Sequence, residues 1–203
     1  RLAVLDLSPA GHQPMASTCG RFVIAFNGEI YNHLELRASL QGVGATPFWR
    51  GHSDTETLLA GFAHWGIEAT LQRCVGMFAL ALWDVADRTL TLARDRLGEK
   101  PLYYGWQGQG SAAVFLFGSE LSALRRHPAF AAEVSRDALA LYMRHNCIGG
   151  EHSIYAGIRK LPPGHLLTLS LAQREPVLRA WWSGADVAVQ GVARPFTGSP
   201  EQA

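Results

Sequence analysis

The segment richest in chemistry is Phe26-Asn27-Gly28-Glu29-Ile30-Tyr31-Asn32. The apolar run Phe22-Val23-Ile24-Ala25-Phe26 before it reads as a buried strand ending at Asn27-Gly28, a turn signal. Such a strand end gathers three useful groups. The Asn27 carboxamide can donate a hydrogen bond to an oxyanion. The Gly28 backbone N–H can donate a second, because no side chain blocks a close approach. Glu29 can accept from an ammonium group. Taken alone, the same residues equally describe a hairpin turn with a surface glutamate.

The cysteines offer no rival site. Cys19, Cys74 and Cys147 are odd in number, widely spaced and without metal-ligand spacing. Free thiols in a reducing cytoplasm are the simplest account of them. The eight histidines form no HxH or HExxH pair, so no metal site is expected. A formal net charge of +1 gives no electrostatic reason to expect nucleic acid or an anionic membrane as partner. The longest apolar run, Val75 to Trp83, contains a glycine and is too short to span a bilayer.

Helices and strands must hold the motif in place. Asn32, with Glu35 three residues on, suggests a capping box for a helix to about Leu40. Ser53 and Glu56 repeat the pattern ahead of Leu58, Leu59, Phe62 and Ala63, and Gly66 stops that second helix. Residues 77–83 and 89–93 form strand–turn–strand around 84–88. Further strands are expected at 102–106, 114–118, 165–171 and 177–182, with helices at 119–126 and 136–145. Gly108 and Gly110 lack the third glycine of a phosphate loop and read as a hairpin turn. Mixed hairpins and helices imply antiparallel sheets covered by helices. From Ser183 the composition turns to Gly, Ala, Val, Pro and Ser without periodicity, and residues 183–203 read as a linker.

Asn27-Gly28-Glu29-Ile30-Tyr31-Asn32 resembles the glutamine-site motif of class II glutamine amidotransferases, most closely the asparagine synthetase branch. Other segments follow that family's order. Arg1-Leu2-Ala3-Val4-Leu5-Asp6 with Gln13-Pro14-Met15 is similar to its Arg-Leu-x-Ile-x-Asp…Gln-Pro segment, and Ser53-Asp54-Thr55-Glu56 to its Ser-Asp-x-Glu helix start. Gly76-Met77-Phe78-Ala79, the block from Asp95 to Tyr104, Phe117-Gly118-Ser119-Glu120 and Leu161-Pro162-Pro163-Gly164-His165 also look like the family.

The resemblance covers residues 1–182 and implies an α+β fold: an αββα sandwich of two antiparallel sheets of the Ntn-hydrolase type, here missing its first strand or strands. It assigns Asn27 and Gly28 to the oxyanion hole. Arg1 is assigned to the glutamine α-carboxylate, for which a planar guanidinium suits bidentate pairing. Asp54 is assigned to the α-amino group with Glu29 helping, and Leu2, Ala3, Val4 and Leu5 line the substrate. A helix start suits Asp54, because the free N–H groups there orient a carboxylate and keep it ionised. The Asp95–Tyr104 block is expected to be an ordered connection in which Asp95 and Arg96 pair.

Family members use an N-terminal cysteine whose own α-amino group serves as base. The resemblance places that residue, and the Arg-His-Arg-Gly-Pro-Asp segment after it, ahead of Arg1. Cys19-Gly20 mimics the start but is internal. The 203 residues by themselves are therefore expected to be inactive, cut from a longer chain. That parent is expected to be a cytoplasmic glutamine-hydrolysing asparagine synthetase with a following synthetase domain that takes ATP and Mg2+. The expected partners are L-glutamine and that synthetase domain, with a homodimer compatible. Two alternatives stand beside it: the same glutaminase serving a sugar or peptide-like carboxylate, and a non-catalytic glutamine-binding or scaffold module.

Overall fold

The computed structural model of the chain describes residues 5–44 and 48–199. Two antiparallel sheets form its centre. The larger holds β1 (Met15–Ala16), β2 (Phe22–Ile30), β3 (Gly76–Asp84), β4 (Thr89–Arg94), β8 (His165–Ser170) and β9 (Val177–Ala180), in that order across the sheet. The smaller holds β5 (Tyr103–Gln107) between β6 (Val114–Gly118) and β7 (Arg159–Lys160). Helices α1 (His33–Gly42), α2 (Asp54–Trp65) and α3 (Ile67–Arg73) cover the outer face of the larger sheet. Two further helices, α4 (Leu121–Leu124) and α5 (Arg136–His145), follow β6.

Strand alternation sorts the core into two layers. Ile24, Phe26, Phe78, Leu80 and Leu82 face α2 and α3, meeting Leu58, Leu59, Phe62 and Leu71. Ala79, Ala81, Leu92 and Leu167 face the smaller sheet, meeting Leu102, Tyr104 and Leu161. Small side chains on β3 allow the two sheets to approach. Among the described residues, no helix is long and apolar enough to cross a membrane.

Four expectations need correction. First, β2 does not end in a turn at Asn27-Gly28. It runs on to Ile30, with Asn27 opposite Ala79, Gly28 opposite Phe78 and Glu29 opposite Met77. Gly28 is needed for close approach: a Cβ there would fall on the Met77 carbonyl oxygen and lie 2.7 Å from Phe78 Cα.

Second, Asn32 does not cap α1 with its side chain. Its Nδ2 donates to Arg73 O (3.0 Å) and its Oδ1 accepts from Val75 N (2.9 Å), tethering the start of α1 to the α3–β3 connection. Ser53 does cap α2, accepting from Glu56 N at 3.3 Å. The Glu56 carboxylate, however, reaches back past the cap to Arg50 N and Gly51 N.

Third, residues 184–193 form a helix, α6 (Gly184–Ala193), started by Ser183 accepting from Asp186 N. It contributes no buried residue. With Val and Ala spread around it and no partner face, it leaves no apolar stripe to detect.

Fourth, Asp95 does not pair with Arg96. The Asp95 carboxylate is 1% exposed and accepts from the backbone N–H groups of Phe78, Leu97, Glu99 and Lys100. Backbone donors win because the buried Phe78 N–H on β3 needs a partner and the 95–100 turn aims three more amides at the same carboxylate. Arg96 instead donates to Gln72 O (2.8 Å) and lies 5.6 Å from the centre of the Trp181 ring.

Asp95→Ala removes the shared acceptor of these four donors. The expected cost is about 1–3 kcal/mol, since the buried Phe78 N–H left unmatched costs roughly that much while the three turn donors can reach water. A urea melt should show a lowered midpoint with unchanged slope; a loss below about 1 kcal/mol would show that water replaces the carboxylate.

Candidate functional site

The site grows from one edge of β2. Phe78 turns its main-chain groups toward Asp95, donating from N to Asp95 Oδ2 and accepting from Asp95 N at O. Gly28, its partner across the ladder, therefore directs its own N–H away from β3, toward the outer edge. Phe26 and Ile30 share that parity. β1 covers the edge only opposite Val23 and Ile24. Beyond it, side chains take the place of a strand. Gln13 Oε1 accepts from Phe26 N at 2.6 Å and Asp54 Oδ2 accepts from Ile30 N at 2.9 Å. Gly28 N–H lies between these two plugs, and no side chain among the described residues is bonded to it.

Asn27 is of the other parity, so its side chain rises from the face toward the smaller sheet. Its Nδ2 donates to Ser119 Oγ at 3.1 Å, across 92 residues of sequence. Both line a cavity of about 300 Å³ together with Gln13, Phe26, Ala79 and Phe117. Glu29 emerges half-buried on the same face.

Asp54 is held tightly. It is buried at 5% exposure, and its second oxygen accepts from Thr55 N at 2.7 Å. The helix start orients it as expected, but it does not keep the group strongly acidic. Burial raises the Asp54 pKa, only partly opposed by the N–H groups of Ile30 and Thr55.

Sequence reasoning missed the residues that deliver Asp54. Arg37 on α1 donates to Thr57 Oγ1 (2.7 Å), Gly51 O (3.1 Å) and Ser53 O (2.9 Å), and its guanidinium lies over Trp49 at 4.1 Å. Asp6 reaches the same loop, accepting from His52 N at 3.1 Å, and Gln13 Nε2 reaches Thr55 Oγ1 at 3.5 Å. Hydrogen bonds from Ser8, then from His52, hold the Asp6 carboxyl below its usual range. The spacing of Arg37 from the Asn27 motif was the one available signal, and its partners lie too far along the chain to be paired by pattern.

His33, the first residue of α1, was also missed. Its Nδ1 is buried without a hydrogen-bond partner. Burial depresses its pKa, with Asp54 and Glu29 pulling it up and Arg37 and His52 pushing it down.

Of the other expected residues, Leu5 is half-buried beside Asp6. Arg1, Leu2, Ala3 and Val4 lie outside the described residues. Cys19 sits in the β1–β2 connection, 3.3 Å from Ser17 Oγ. Phe22 and Asn27 are five residue steps apart along β2, about 17 Å of extended chain, so Cys19, which precedes Phe22, is remote from the motif. It lines instead the larger cavity of about 430 Å³ with Arg50, Glu56, Leu59 and His64. Asn27 lines the smaller cavity, and none of Asn27, Gly28, Glu29 and Asp54 lines the larger one. Cys74 is buried, and desolvation pushes its thiol up to about 12.

Two helix-flanked antiparallel sheets with an amide side chain, an open backbone N–H and a buried carboxylate on one strand edge define an Ntn-hydrolase-type α+β domain. The chain belongs to the glutamine amidotransferase domain family, whose model matches residues 1–182. It is 35% identical to a putative glutamine-hydrolysing asparagine synthetase of Mycobacterium tuberculosis, over 100% of this chain and 30% of the relative. It is 39% identical to asparagine synthetase 3 of Bacillus subtilis, over 84% of this chain and 27% of that one. The chain thus spans under a third of the relatives' length. The glutamine phosphoribosylpyrophosphate amidotransferase of B. subtilis shares the fold at a TM-score of 0.57 and 17% identity, covering 85% of this chain and 32% of that structure.

The electrostatics predict a pH dependence for any ligand whose ammonium rests on Asp54. Asp54 must be ionised, and its pKa lies above the ordinary 3.8. His33 is neutral until the pH falls below its ordinary 6.5, and then adds positive charge beside that carboxylate. Both changes oppose an ammonium as pH falls from about 6.5 toward 4. L-glutamine should bind the full-length protein more weakly at pH 5 than at pH 7.5, whereas glutaramate, which lacks the α-amino group, should show no such loss. Parallel profiles for the two ligands would remove the ammonium from Asp54.

Proposed function

We propose that this domain hydrolyses L-glutamine to L-glutamate and passes the ammonia to an ATP-dependent amidation carried out by another part of the same protein. The observation that carries this reading is the Gly28 N–H on the open edge of β2, between Gln13 and Asp54 and next to the Asn27 carboxamide. Two N–H donors beside a buried carboxylate suit an α-amino acid whose side-chain carbonyl turns into an oxyanion.

In this mechanism the nucleophile is the N-terminal cysteine characteristic of the family, its α-amino group taking the thiol proton. The thiolate adds to the glutamine amide carbon, and the carbonyl oxygen gains negative charge. Asn27 Nδ2 and Gly28 N stabilise that charge. The amide nitrogen then leaves as ammonia, giving a thioester. Water adds to the thioester through a second tetrahedral intermediate in the same donor pair, and glutamate departs. Asp54 and Glu29 hold the substrate ammonium throughout. Arg1 takes the α-carboxylate, with Leu2, Ala3, Val4 and Leu5 alongside.

Aspartate is the proposed amide acceptor, because the relatives that match over the whole chain carry the name asparagine synthetase. ATP and Mg2+ would serve that second half. The glutaminase chemistry is indifferent to the acceptor, so a sugar or peptide-like carboxylate would use the same residues.

Asn27→Ala and Asp54→Ala in the full-length protein separate the roles. Asn27→Ala removes one oxyanion donor, so kcat for glutamine hydrolysis should fall roughly 10²–10³-fold with little change in KM. Asp54→Ala removes a ground-state anchor, so KM for glutamine should rise with kcat largely kept. Ammonia-dependent amidation should survive in both. Normal hydrolysis by Asn27→Ala would leave Asn27 as a strand residue only. Loss of ammonia-dependent activity in Asp54→Ala would make Asp54 a structural helix start.

A further inference from the structure

Asn27 alone does not fix which end of its carboxamide faces an oxyanion, because a primary amide has two opposite ends. Turned one way it presents N–H groups to the developing charge; turned the other way it presents the Oδ1 lone pairs, which repel it. Something must choose between them. On β2 the neighbours in the ladder do not, since Ala79 opposite Asn27 and Ala25 two residues before it have no polar side chain, and Glu29 two residues after it is not hydrogen-bonded to the carboxamide among the described residues.

The polar partner comes from the other sheet. Ser119 follows β6 directly and precedes α4, and its Oγ accepts from Asn27 Nδ2 at 3.1 Å. A carboxamide nitrogen carries two N–H bonds that point in different directions. One spent on Ser119 leaves the second free and fixes the nitrogen end on the side of the cavity of about 300 Å³ that both residues line. Gly118, half-buried, brings this corner close, since a Cβ there would lie 3.2 Å from Leu124 Cδ2. Packing of α4 on β6 thus sets where the hydroxyl stands.

We propose that Ser119 is a positioning residue for the oxyanion hole, holding the Asn27 carboxamide with its nitrogen toward the reacting amide. This role rests on the glutaminase reading of the domain. In this role the contribution of Ser119 passes through Asn27, to which it is hydrogen-bonded. A hydroxyl can donate as well as accept, and here it accepts from Asn27 Nδ2, so its own proton is directed away from the amide. The hydroxyl is small enough for the gap between the sheets, and it is uncharged, so it neither titrates nor competes with the oxyanion.

The test is a double-mutant cycle on glutamine hydrolysis by the full-length protein. Ser119→Ala should lower kcat about tenfold, a fraction of the roughly 10²–10³-fold lost with an oxyanion donor itself, and leave KM within about twofold. Ser119→Thr keeps the hydroxyl and should recover most of the rate. In the Asn27→Ala background, Ser119→Ala should cost nothing further, because there is no amide left to orient. A structural role would instead make the two losses multiply, or lower the rate only in step with the folded fraction measured by thermal melting; either result overturns the proposal. So does an unchanged kcat in Ser119→Ala. If Asn27→Ala is impaired while Ser119→Ala is not, the positioning role alone fails. If the unmodified protein does not hydrolyse glutamine, the glutaminase reading fails and the positioning role with it.

Discussion

The hydrogen bond from Ile30 N–H to the Asp54 carboxylate joins the two halves of the site. It ends the open edge of β2 and fixes the first residue of α2 against it. Without that bond, Asp54 would be one more acidic residue in a first helical turn. With it, a carboxylate 24 residues further along the chain stands two positions from the Gly28 N–H, on the same side of the strand. Strand parity fixes the distance between them, so the site inherits the rigidity of a sheet without a neighbouring strand occupying it.

That placement has a cost, met by charges that never face the site. A buried carboxylate is destabilised unless its surroundings are ordered around it. The loop from Arg50 to Ser53 is held from three sides: by Arg37 on α1, by Asp6 from the N-terminal segment, and by the Glu56 carboxylate within α2. Arg37 and Glu56 are themselves 3.4 Å apart, with side chains 13% and 5% exposed. Removing one member of such a group leaves its partners buried and unmatched, so these residues act as a unit. Asn32 does the same without charge on the other side of α1, tying its start to Arg73 and Val75.

The alternating apolar runs and capping residues were enough to place most strands and helices, because local pattern determines local structure. The second helix could be found from Ser53, and β3–β4 from the turn at 84–88. Gly28 shows where pattern misleads. Asn-Gly is a strong turn signal in isolation, yet here the glycine sits within a paired strand because Met77 and Phe78 leave no room for a side chain. Asp95 shows the same limit. Its neighbour Arg96 offers charge, but four backbone amides compete for the carboxylate, and three of them belong to its own turn. The links that build the site, Arg37 to Ser53, Gln13 to Phe26 and Asn27 to Ser119, span 13 to 92 residues. No periodicity encodes such pairings; they exist only once the sheets are stacked.

The two sheets divide the work of recognition unequally. The residues proposed to hold a substrate ammonium, Asp54 and Glu29, belong to the larger sheet and its helices. The smaller sheet lines the cavity beside Asn27 with Phe117 and Gly118 of β6, and at the corner after β6 Ser119 touches the Asn27 carboxamide. The proposed ground-state anchors therefore sit with the larger sheet, while the orientation of the proposed transition-state donor depends on how the smaller sheet packs against it. The contact between the sheets is made by Ala79, Ala81, Leu92 and Leu167 against Leu102, Tyr104 and Leu161, all closely packed. Small residues on β3 set that spacing, so the reach of Ser119 to Asn27 follows from the volumes of two alanines. Enlarging either would separate the corner from the amide before it disturbed the ammonium subsite, because the Asp54–Ile30 bond lies at the strand edge, outside the layer those alanines occupy.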